Sequence, residues 1–465
     1  MSQYPSCDAT GLSQSRLSRW LIVLPSAFAG LIFSITAWVL LRRADQLSFG
    51  AFDTAFFQQL LWNLAHGGSW HDSFDHSIYN YLGVHFSPLL AVLAPLELIW
   101  ADARMLNLLN AAGLAAIGPT AFLFFQALLG DRPKAALAAV ALATPLPFWA
   151  EIQKAAMAGF HPESIGLPLV LLAAWAGLQN RQLLCWILVL AALATKEDQA
   201  FELAVVGLLL FRYGPSPRLG KWLGLFSLAW GMVLELVLMH WLRGNINGPI
   251  EGYYHWLLSA SPQSVTGALV HSPEGWLAFV GMLASVAFLP LLRPVWFALV
   301  LPPLLGDLLS QHFPMPTLGL QYGLPLIMPL LVAAGLGMRK LLNSPRPAVL
   351  LIGLGIPALI VGLVWSPMLG GNQASPARTQ LISCTHKLPV LASVAADYDT
   401  AAPLASRPDI HLTDAIQRTD FVVIDQAGWN PDYISSGRQH ILASLPNQRP
   451  LLCNDGRFQI WGPAR

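Results

Sequence analysis

Long apolar segments separated by short polar connections run through most of the chain, a pattern typical of helices that cross a lipid bilayer. About 20 consecutive apolar residues suffice for one helical crossing. Hydropathy predicts spans at residues 20–41, 104–129, 134–150, 164–178, 182–195, 199–212, 221–242, 276–292, 295–310, 322–338 and 347–368. Several are short and need neighbouring residues or a locally thin bilayer. We expect an all-α polytopic membrane protein with about 11 transmembrane helices, in a range of roughly 10–13.

The charges of the connections predict an orientation, because cytoplasmic connections are rich in lysine and arginine. If the C-terminus lies outside, the inner connections hold one acid, Asp131. Their basic residues are Arg132, Lys134, Arg181, Arg212, Arg218, Lys221, Arg293, Arg339, Lys340 and Arg346. The apolar segment Phe86–Trp100, which contains two prolines, must then be re-entrant or interfacial. Trp20–Leu41 is longer than the apolar core of a signal peptide and is interpreted as an uncleaved signal anchor.

The C-terminal region is polar and differs in kind from the rest of the chain. It predicts strands at Val390–Ala396 and Phe421–Asp425, followed by a hairpin at Leu451–Trp461. Cys384 and Cys453 either pair in an oxidising compartment or remain two free thiols. The predicted organisation is a cytoplasmic tail at 1–19, a transmembrane domain at 20–370 with a first outer loop at 42–103, and a small α/β extracytoplasmic domain at 371–465.

Composition supports a membrane location and narrows the classes of function. The chain is 55% hydrophobic and 11% charged, whereas soluble domains carry roughly a quarter charged residues. The net charge is +1 and no basic stripe is present, which argues against a nucleic-acid partner. Four cysteines without CxxC or Cys/His spacing indicate no zinc site. All twelve histidines fall in predicted outer connections, at outer helix ends or in the C-terminal region, so one membrane face carries most acid–base chemistry.

The first outer loop contains Phe52–Asn63, whose apolar spacing suits an amphipathic helix lying at the membrane interface. Asp53 stands at its start, where a carboxylate either caps the helix N-terminus or accepts a proton from a hydroxyl in a cavity. Gln59 and Trp62 on the same helix are candidate substrate contacts. His85 precedes a proline-broken segment and is either an interfacial anchor or a further substrate contact.

Two later connections place ionisable groups between apolar spans. In FHPE, His161 and Glu163 bring an imidazole and a carboxylate two residues apart, and both are candidate catalytic residues. In KED, Lys196 suits a phosphate as a point charge, while Glu197 and Asp198 would orient it or ligate a metal. The plainer alternative for KED is a tight turn whose charges mark the water interface.

Five motifs as a set resemble those of an uncharacterised prokaryotic family of predicted multi-spanning membrane proteins: FDTAFFQQLLWN, VHFSP, FHPE, KED and QYGLPLIMP. The resemblance begins near residue 45 and reaches the tail through DFVVID. Members of this family tend to have a second acid where this chain has Gln58, so Asp53 is the only acid of its helix. His312, together with Gln321 and Tyr322 at the start of the last motif, completes the candidate substrate-binding set.

That family in turn resembles the C-type glycosyltransferases, in which a first outer loop carries an essential acid and the sugar comes from a polyprenyl-phosphate donor. The resemblance implies that Asp53 matches this acid and that Lys196 binds the lipid phosphate. It also implies work at the outer face of a prokaryotic cytoplasmic (inner) membrane, on a glycan, lipid or protein acceptor of the cell envelope. The cofactor stays unknown, with a divalent cation as one option.

The leading hypothesis is therefore a membrane glycosyltransferase that moves a hexosyl or pentosyl group. Asp53 would deprotonate the acceptor hydroxyl, and Lys196 with His161 would stabilise the leaving phosphate. The alternative is a secondary transporter or proton-coupled carrier, in which intramembrane ionisable groups are also expected. Carriers usually show repeated halves, and no internal repeat is visible here. A non-catalytic assembly or binding protein is the third class.

Overall fold

A computed structural model describes residues 22–74, 80–244, 248–343, 377–427 and 438–464. The predicted tail at 1–19 and the last predicted span at 347–368 lie outside these residues. Helices make up the described chain before residue 344, and a five-stranded sheet lies in the C-terminal region.

The helices of the first region are joined by short connections and single turns. They are α1 (Val23–Asp45), α2 (Phe56–Ala65), α3 (Leu89–Leu93), α4 (Arg104–Leu129), α5 (Pro133–Ala143), α6 (Ala150–Met157), α7 (Glu163–Leu178), α8 (Gln182–Leu193), α9 (Gln199–Tyr213), α10 (Pro217–Val233), α11 (Met239–Arg243), α12 (Pro249–Tyr254), α13 (Pro262–Val270), α14 (Pro273–Ser285), α15 (Pro294–Phe297), α16 (Leu301–Leu308) and α17 (Ile327–Leu342). The π-helical turns are Ala51–Ala55 and Leu234–Leu238, and the 3₁₀ turns are Tyr81–Gly83, Ala94–Leu98, Leu146–Phe148, His255–Leu258, Leu289–Leu292, Ala298–Val300, Met315–Thr317 and Leu324–Leu326. Proline opens many of these helices, because the first turn offers no partner for the N–H that proline lacks.

Within the described ranges, five helical stretches are long and apolar enough to cross a membrane: Val23–Asp45, Arg104–Leu129, Pro133–Met157, Pro217–Arg243 and Leu324–Leu342. Shorter apolar helices occupy Leu89–Leu98, Glu163–Leu178, Gln182–Leu193 and Pro294–Leu308. The 12 residues of α8 extend about 18 Å, well below a hydrocarbon core of about 30 Å. The mostly helical, apolar architecture is confirmed, while the count of about 11 spans stays a prediction.

Glycine allows α9 and α10 to pack backbone to backbone. A Cβ on Gly207 would lie 2.3 Å from the backbone nitrogen of Gly224, and one on Gly220 would lie 2.0 Å from that of Phe211. Small residues permit such close approach in membranes, where dispersion contacts and interhelical packing drive association. The contact fixes α9 and, with it, the charged KED junction that precedes this helix.

The helix of the first outer loop differs from its prediction. Residues 52–63 form part of a π-helical turn and most of α2, but the stretch from Phe56 to Trp62 is buried and does not lie on a membrane surface. Gln58 donates to Glu97 Oε2 (2.6 Å) and to Ser406 Oγ (2.8 Å), so the C-terminal domain covers the polar side of the helix. An amphipathic spacing also suits a helix packed between protein layers, and local sequence does not separate the two cases.

The C-terminal domain is built on a sheet of strand order β2-β1-β3-β5-β4. Its elements are α18 (Ala377–Thr385), β1 (Val394–Ala396), β2 (Ile410–Leu412), β3 (Phe421–Asp425), α19 (Arg438–Gln448), β4 (Leu451–Asn454) and β5 (Phe458–Trp461). β1 pairs in parallel with β2 and β3, and the predicted hairpin β4–β5 is antiparallel, with Gly456 at φ 92° in its turn. The first strand is shorter than predicted because the Ala392 N–H closes a turn onto the Pro389 carbonyl (3.1 Å).

A disulfide joins α18 to β4. It links Cys384 to Cys453, whose Cα atoms are 5.7 Å apart. Of the two alternatives that the sequence leaves open, the paired one is realised. Disulfides persist in oxidising compartments, which is consistent with an outer position for this domain.

The C-terminal domain and the first outer loop share one hydrophobic core. Phe57 and Leu60 of α2 belong to the same buried cluster as Val394 of β1. Ser73 also bonds the sheet edge, since its hydroxyl donates to the Ile410 carbonyl and accepts from the Ile410 N–H. The loop and the domain therefore form one packed unit.

Candidate functional site

The KED triplet occupies the junction between α8 and α9. Just before it, Thr195 donates its hydroxyl to the Ala192 carbonyl (2.7 Å), which closes the last turn of α8. The side chains of Lys196, Glu197 and Asp198 are only 13%, 18% and 29% exposed. This degree of burial favours a packed site over a turn that merely marks the water interface.

Lys196 is the centre of the junction. Its ammonium contacts the Glu163 carboxylate at the start of α7 and lies 3.5 Å from Asp198 Oδ2. The start of α7 reaches the junction because Gly166 has no side chain, and a Cβ there would lie 2.6 Å from Thr195 Oγ1. An ammonium has three N–H donors. Within the described residues, the Lys196 ammonium donates one hydrogen bond, to Glu163, and forms a longer ion pair with Asp198.

Glu197 binds the first outer loop. Its Oε1 accepts from His85 Nδ1 (2.8 Å) and its Oε2 from the Phe86 N–H (2.9 Å). The Leu89 N–H also donates to the Ala194 carbonyl (2.8 Å), which fastens the loop to the end of α8. Both oxygens of Glu197 thus hold the loop in place. The predicted contact of Glu197 with a substrate stays a prediction. The His85 side chain remains 33% exposed.

Burial and neighbouring charges set the protonation of the junction. Burial alone would lower the pKa of Lys196, but the carboxylates, Glu163 first, hold that pKa well above its usual range. Burial would raise the pKa of Glu197, yet the His85 imidazole lowers it to about 2. Burial raises the pKa of Asp198 to about 6, against the attraction of Lys196. Lys196 is therefore charged, Glu197 is ionised, and Asp198 titrates close to neutral pH.

Two buried carboxyls extend the charged junction. Gln199 donates its amide to Asp198 Oδ1 (3.2 Å) and to Glu202 Oε1 (3.3 Å), so Glu202 lies beside the triplet. The charges of Lys196 and Asp198 also act on the Asp307 carboxyl in α16. Sequence analysis missed Glu202, although a spacing of four residues after Asp198 places both on one helix face.

His312 and Tyr322, both predicted site residues, meet each other. His312 Nε2 lies 3.0 Å from the Tyr322 hydroxyl, and the imidazole stacks on Tyr253 with 4.4 Å between ring centroids. Burial and the nearby charge of His85 lower the pKa of His312. Gln321 is buried, and its Oε1 has no hydrogen-bond partner in the described part of the chain. Tyr253 comes from α12, and no sequence signal pointed to it.

The catalytic candidates Asp53 and His161 belong to segments that pack together. His161 is buried, and its ring centroid is 5.7 Å from that of Phe57 in α2. Asp53 lies in the π-helical turn that leads into α2, four residues before Phe57, or about one helical turn. The backbone thus brings the Asp53 segment beside the connection that carries His161 and Glu163.

Gln59 and Trp62, two predicted substrate contacts, are both buried in the structure, and their substrate role stays a prediction. Gln59 donates to Ser73 Oγ (2.6 Å) and to the Pro408 carbonyl (3.1 Å), and it accepts from the Ser73 N–H (2.9 Å). These bonds join α2 to the C-terminal domain, a contact that the spacing within one helix does not reveal. Trp62 stacks on His66 with 4.1 Å between ring centroids.

A protein cation, Lys196, lies among the carboxylates of this site. Among the side chains that the structure describes, no three of the histidine, cysteine, aspartate and glutamate residues are grouped so that they could hold a metal ion. The ammonium can thus balance the charge of an anionic ligand, and protonation of Asp198 lowers the negative charge that such a ligand meets.

The architecture is similar to that of ArnT from Cupriavidus metallidurans, solved bound to undecaprenyl phosphate. The two structures match with a TM-score of 0.51 at 15% sequence identity, over 93% of this chain and 98% of ArnT. The likeness is one of fold, and it supports the resemblance that the motifs indicate. No curated protein matches the chain in sequence. Residues 43–439 match the family described as predicted membrane protein (DUF2079), and the chain belongs to this family.

Proposed function

We propose that the protein is a membrane glycosyltransferase that transfers a sugar from a polyprenyl-phosphate donor to an acceptor at the outer face of a prokaryotic cytoplasmic membrane. The observation that carries the proposal is the buried Lys196 centre, where the α6–α7 connection and the first outer loop meet the α8–α9 junction. A fixed cation suits a phosphate that gains charge as the sugar leaves. The fold supports the donor class, because ArnT was solved with a polyprenyl phosphate bound.

Each group of the site has a proposed role in the transfer. Asp53 accepts the proton of the acceptor hydroxyl, whose oxygen then bonds to the anomeric carbon of the sugar. The bond between that carbon and the phosphate oxygen breaks, and Lys196 stabilises the departing lipid phosphate. Glu163 positions Lys196, and Glu197 positions His85 beside the phosphate. His161 borders the segment that carries Asp53.

The charge balance of the junction bears on donor binding. One lysine faces the carboxyls of Glu163, Glu197 and Asp198, so the junction is negative when all three are ionised. An anionic donor therefore binds better when Asp198 takes up a proton. A divalent cation that arrives with the donor would serve the same purpose, and loss of transfer after EDTA treatment would reveal it.

The working face is proposed to be extracytoplasmic, as the connection charges predict. The disulfide of the C-terminal domain supports this orientation, because that domain shares its core with the first outer loop.

Turnover by purified protein with a panel of polyprenyl-phosphate sugars tests the proposal. Asp53→Asn keeps the size of the side chain but removes the base, and we expect transfer to fall by roughly 10²–10⁴-fold. Asp131→Asn, at an exposed connection, is the matched control and should retain wild-type turnover. Wild-type rates in Asp53→Asn would remove Asp53 from the mechanism. If no donor is turned over and reconstituted liposomes show proton-coupled uptake, the protein is a carrier.

A further inference from the structure

Tyr398 of the C-terminal domain packs on the turn that carries Asp53. The ring lies against the backbone of Gly50, because a Cβ on that glycine would lie 1.7 Å from Tyr398 Cε1 and 2.5 Å from the hydroxyl oxygen. The Phe52 ring lies beside the same tyrosine, with 6.0 Å between the ring centroids. Tyr398 therefore contacts the chain at two positions just before Asp53.

The turn itself is held only weakly by its own hydrogen bond. Residues Ala51–Ala55 are π-helical, and the Ala55 N–H donates to the Gly50 carbonyl over 3.4 Å. Hydrogen bonds between an N–H and an oxygen usually measure about 2.7–3.2 Å, so this one is long. Single π-helical turns are rare and are frequent at functional sites. The long bond makes this turn dependent on the side chains that pack against it.

Tyr398 can supply that packing because the sheet fixes its own position. It begins the 3₁₀ turn Tyr398–Thr400, which follows the carboxyl end of β1. The preceding residue, Asp397, is buried, and its Oδ2 accepts from the Asp425 N–H in β3 (2.8 Å). The Asp397 N–H donates to the Val423 carbonyl (3.3 Å), and the Asp397 carbonyl accepts from the Thr400 N–H (2.9 Å). The central strands thus hold the backbone of Tyr398 in place.

The position of a general base decides how well it works. Displacement of a reacting group by about 1 Å costs on the order of 10²-fold in rate. We propose that Tyr398 is a positioning residue, which braces Gly50 and Phe52 so that the turn presents Asp53 to the acceptor. The role of Asp53 as a base rests on the proposed function, whereas the bracing of the turn does not.

Amide hydrogen exchange of the purified full-length protein, followed by mass spectrometry on peptides that cover residues 50–57, measures the bracing without any donor. We expect exchange there to rise at least about fivefold in Tyr398→Ala, because loss of one packing contact shifts a local opening equilibrium by about that factor. Tyr398→Phe keeps the ring and should stay within about twofold of the wild type.

Ile416→Ala is the matched control for a general loss of stability in the C-terminal domain. Ile416 is buried in a cluster with Val422 and Trp461, which is separate from the cluster that holds Ala51 and Val423. We expect this variant to lower the melting temperature and to leave the exchange of residues 50–57 unchanged. Equal rises in Ile416→Ala and Tyr398→Ala would mean that Tyr398 acts only through the stability of the domain, and the proposal would then be wrong.

Gly50→Ala tests the same contact from the other side. It should raise exchange as Tyr398→Ala does, because the added Cβ displaces the ring. In a Tyr398→Ala background the substitution meets no ring and should add less than about twofold, so the two effects are not additive. Additive effects would show that the two residues act separately and would overturn the bracing. If Tyr398→Ala fails to fold, Gly50→Ala compared with Gly30→Ala decides.

Turnover separates this proposal from the function on which it rests. We expect kcat to fall roughly 10–10²-fold in Tyr398→Ala with KM within about twofold of the wild type, because a base contributes only in the transition state. Tyr398→Phe should retain most of the activity. A change confined to KM would rule out the positioning of Asp53. If the wild type turns over no polyprenyl-phosphate sugar while the exchange results hold, the transferase proposal fails and the bracing of the turn stands.

Discussion

A single lysine, Lys196, carries both structural and proposed chemical roles, and the two can be separated. Lys196→Met leaves Glu163, whose side chain is 3% exposed, without its cation. Removing one partner of a buried ion pair typically costs about 3–5 kcal/mol, so we expect a large drop in thermal stability. The double variant Lys196→Met, Glu163→Leu removes the unpaired charge and should recover most of that stability. Transfer should stay lost in both, because neither has an N–H donor for the phosphate.

Thermal unfolding in detergent and donor turnover, measured on the same samples, check this expectation. Lys134→Met, at an exposed position, is the control for loss of a lysine and should match the wild type in both assays. A double variant that regains stability and transfer together would show that Lys196 is structural only.

The titration of the Asp198 carboxyl is expected to make donor binding depend on pH. Burial raises its pKa to about 6, so the carboxyl is neutral below that pH and charged above it. A donor phosphodiester keeps one negative charge over this range, and it should bind less tightly as the pH rises from 5 to 7. If the Asp198 carboxylate lies about 6 Å from the donor phosphate and the effective dielectric constant is near 40, its charge changes the binding free energy by about 1.4 kcal/mol. This corresponds to roughly tenfold in affinity.

The variant Asp198→Asn removes this titration, and its affinity at pH 7 should resemble that of the wild type at pH 5. The difference between the two curves reports the contribution of Asp198. Parallel affinity curves for the two proteins would contradict the assignment.

The raised pKa of Asp198 also affects folding. A group that binds its proton more tightly in the folded state makes the free energy of unfolding fall as the pH rises from about 4 to 6.

At the scale of elements, the approach of α7 to the α8–α9 junction depends on Gly166. A Cβ there would lie 2.6 Å from Thr195 Oγ1 and 2.8 Å from Gln199 Oε1. We expect Gly166→Ala to separate the two elements, lower stability by about 1–3 kcal/mol and weaken the Glu163–Lys196 contact enough to reduce turnover. Gly30→Ala, where an added Cβ meets nothing within 4 Å, should be neutral or slightly stabilising. Wild-type turnover and melting in Gly166→Ala would show that the close approach is unimportant.

Local patterns predicted those elements whose signals lie within a few residues. The hairpin β4–β5 follows from alternation around Asn454-Asp455-Gly456, and β3 from the apolar run at Phe421–Asp425. The burial of α2 was not predictable, because it depends on Gln58 meeting Ser406, 348 residues further along the chain. Apolar residues have the same spacing in a helix packed between two protein layers as in a helix on a membrane surface.

The candidate site shows the same division between local and distant information. Ionisable residue types in the outer connections were found from sequence, since charge between apolar spans is visible locally. Their partners were not, because the pairing of His85 with Glu197 bridges 112 residues. For this reason the sequence could not show that Glu197 binds His85 and the Phe86 N–H.

At the scale of the whole molecule, the disulfide should stabilise more than the C-terminal domain. Cys384 and Cys453 enclose 69 residues of chain, and closing a loop of that length in the unfolded state is worth up to about 4 kcal/mol. Because the C-terminal domain shares its core with α2, Cys384→Ser should lower the melting temperature of the domain and of the loop packed against it, and it should also reduce turnover. Ser383→Ala, at the exposed neighbouring position, is the control. An unchanged melting curve in Cys384→Ser would show that the shared core does not couple the two parts.

The contacts of the charged junction constrain the topology of the whole chain. Glu163 and Lys196 touch, so the hairpin of α7 and α8 between them must leave one membrane face and return to the same face. These helices have 16 and 12 residues, or about 24 and 18 Å, and they reach the opposite face only if the bilayer is locally thin.

A cysteine at exposed Gln182, at the far end of this hairpin, distinguishes a hairpin that crosses the membrane from one that re-enters it. In a Cys7→Ser background, a membrane-impermeant maleimide added to intact cells should label Ser259→Cys and leave Gln182→Cys unlabelled until the membrane is opened. Labelling of both positions from outside would show that the hairpin is re-entrant and would remove two crossings from the predicted count of about 11. The orientation of every later segment would stay the same, because an even number of crossings is removed.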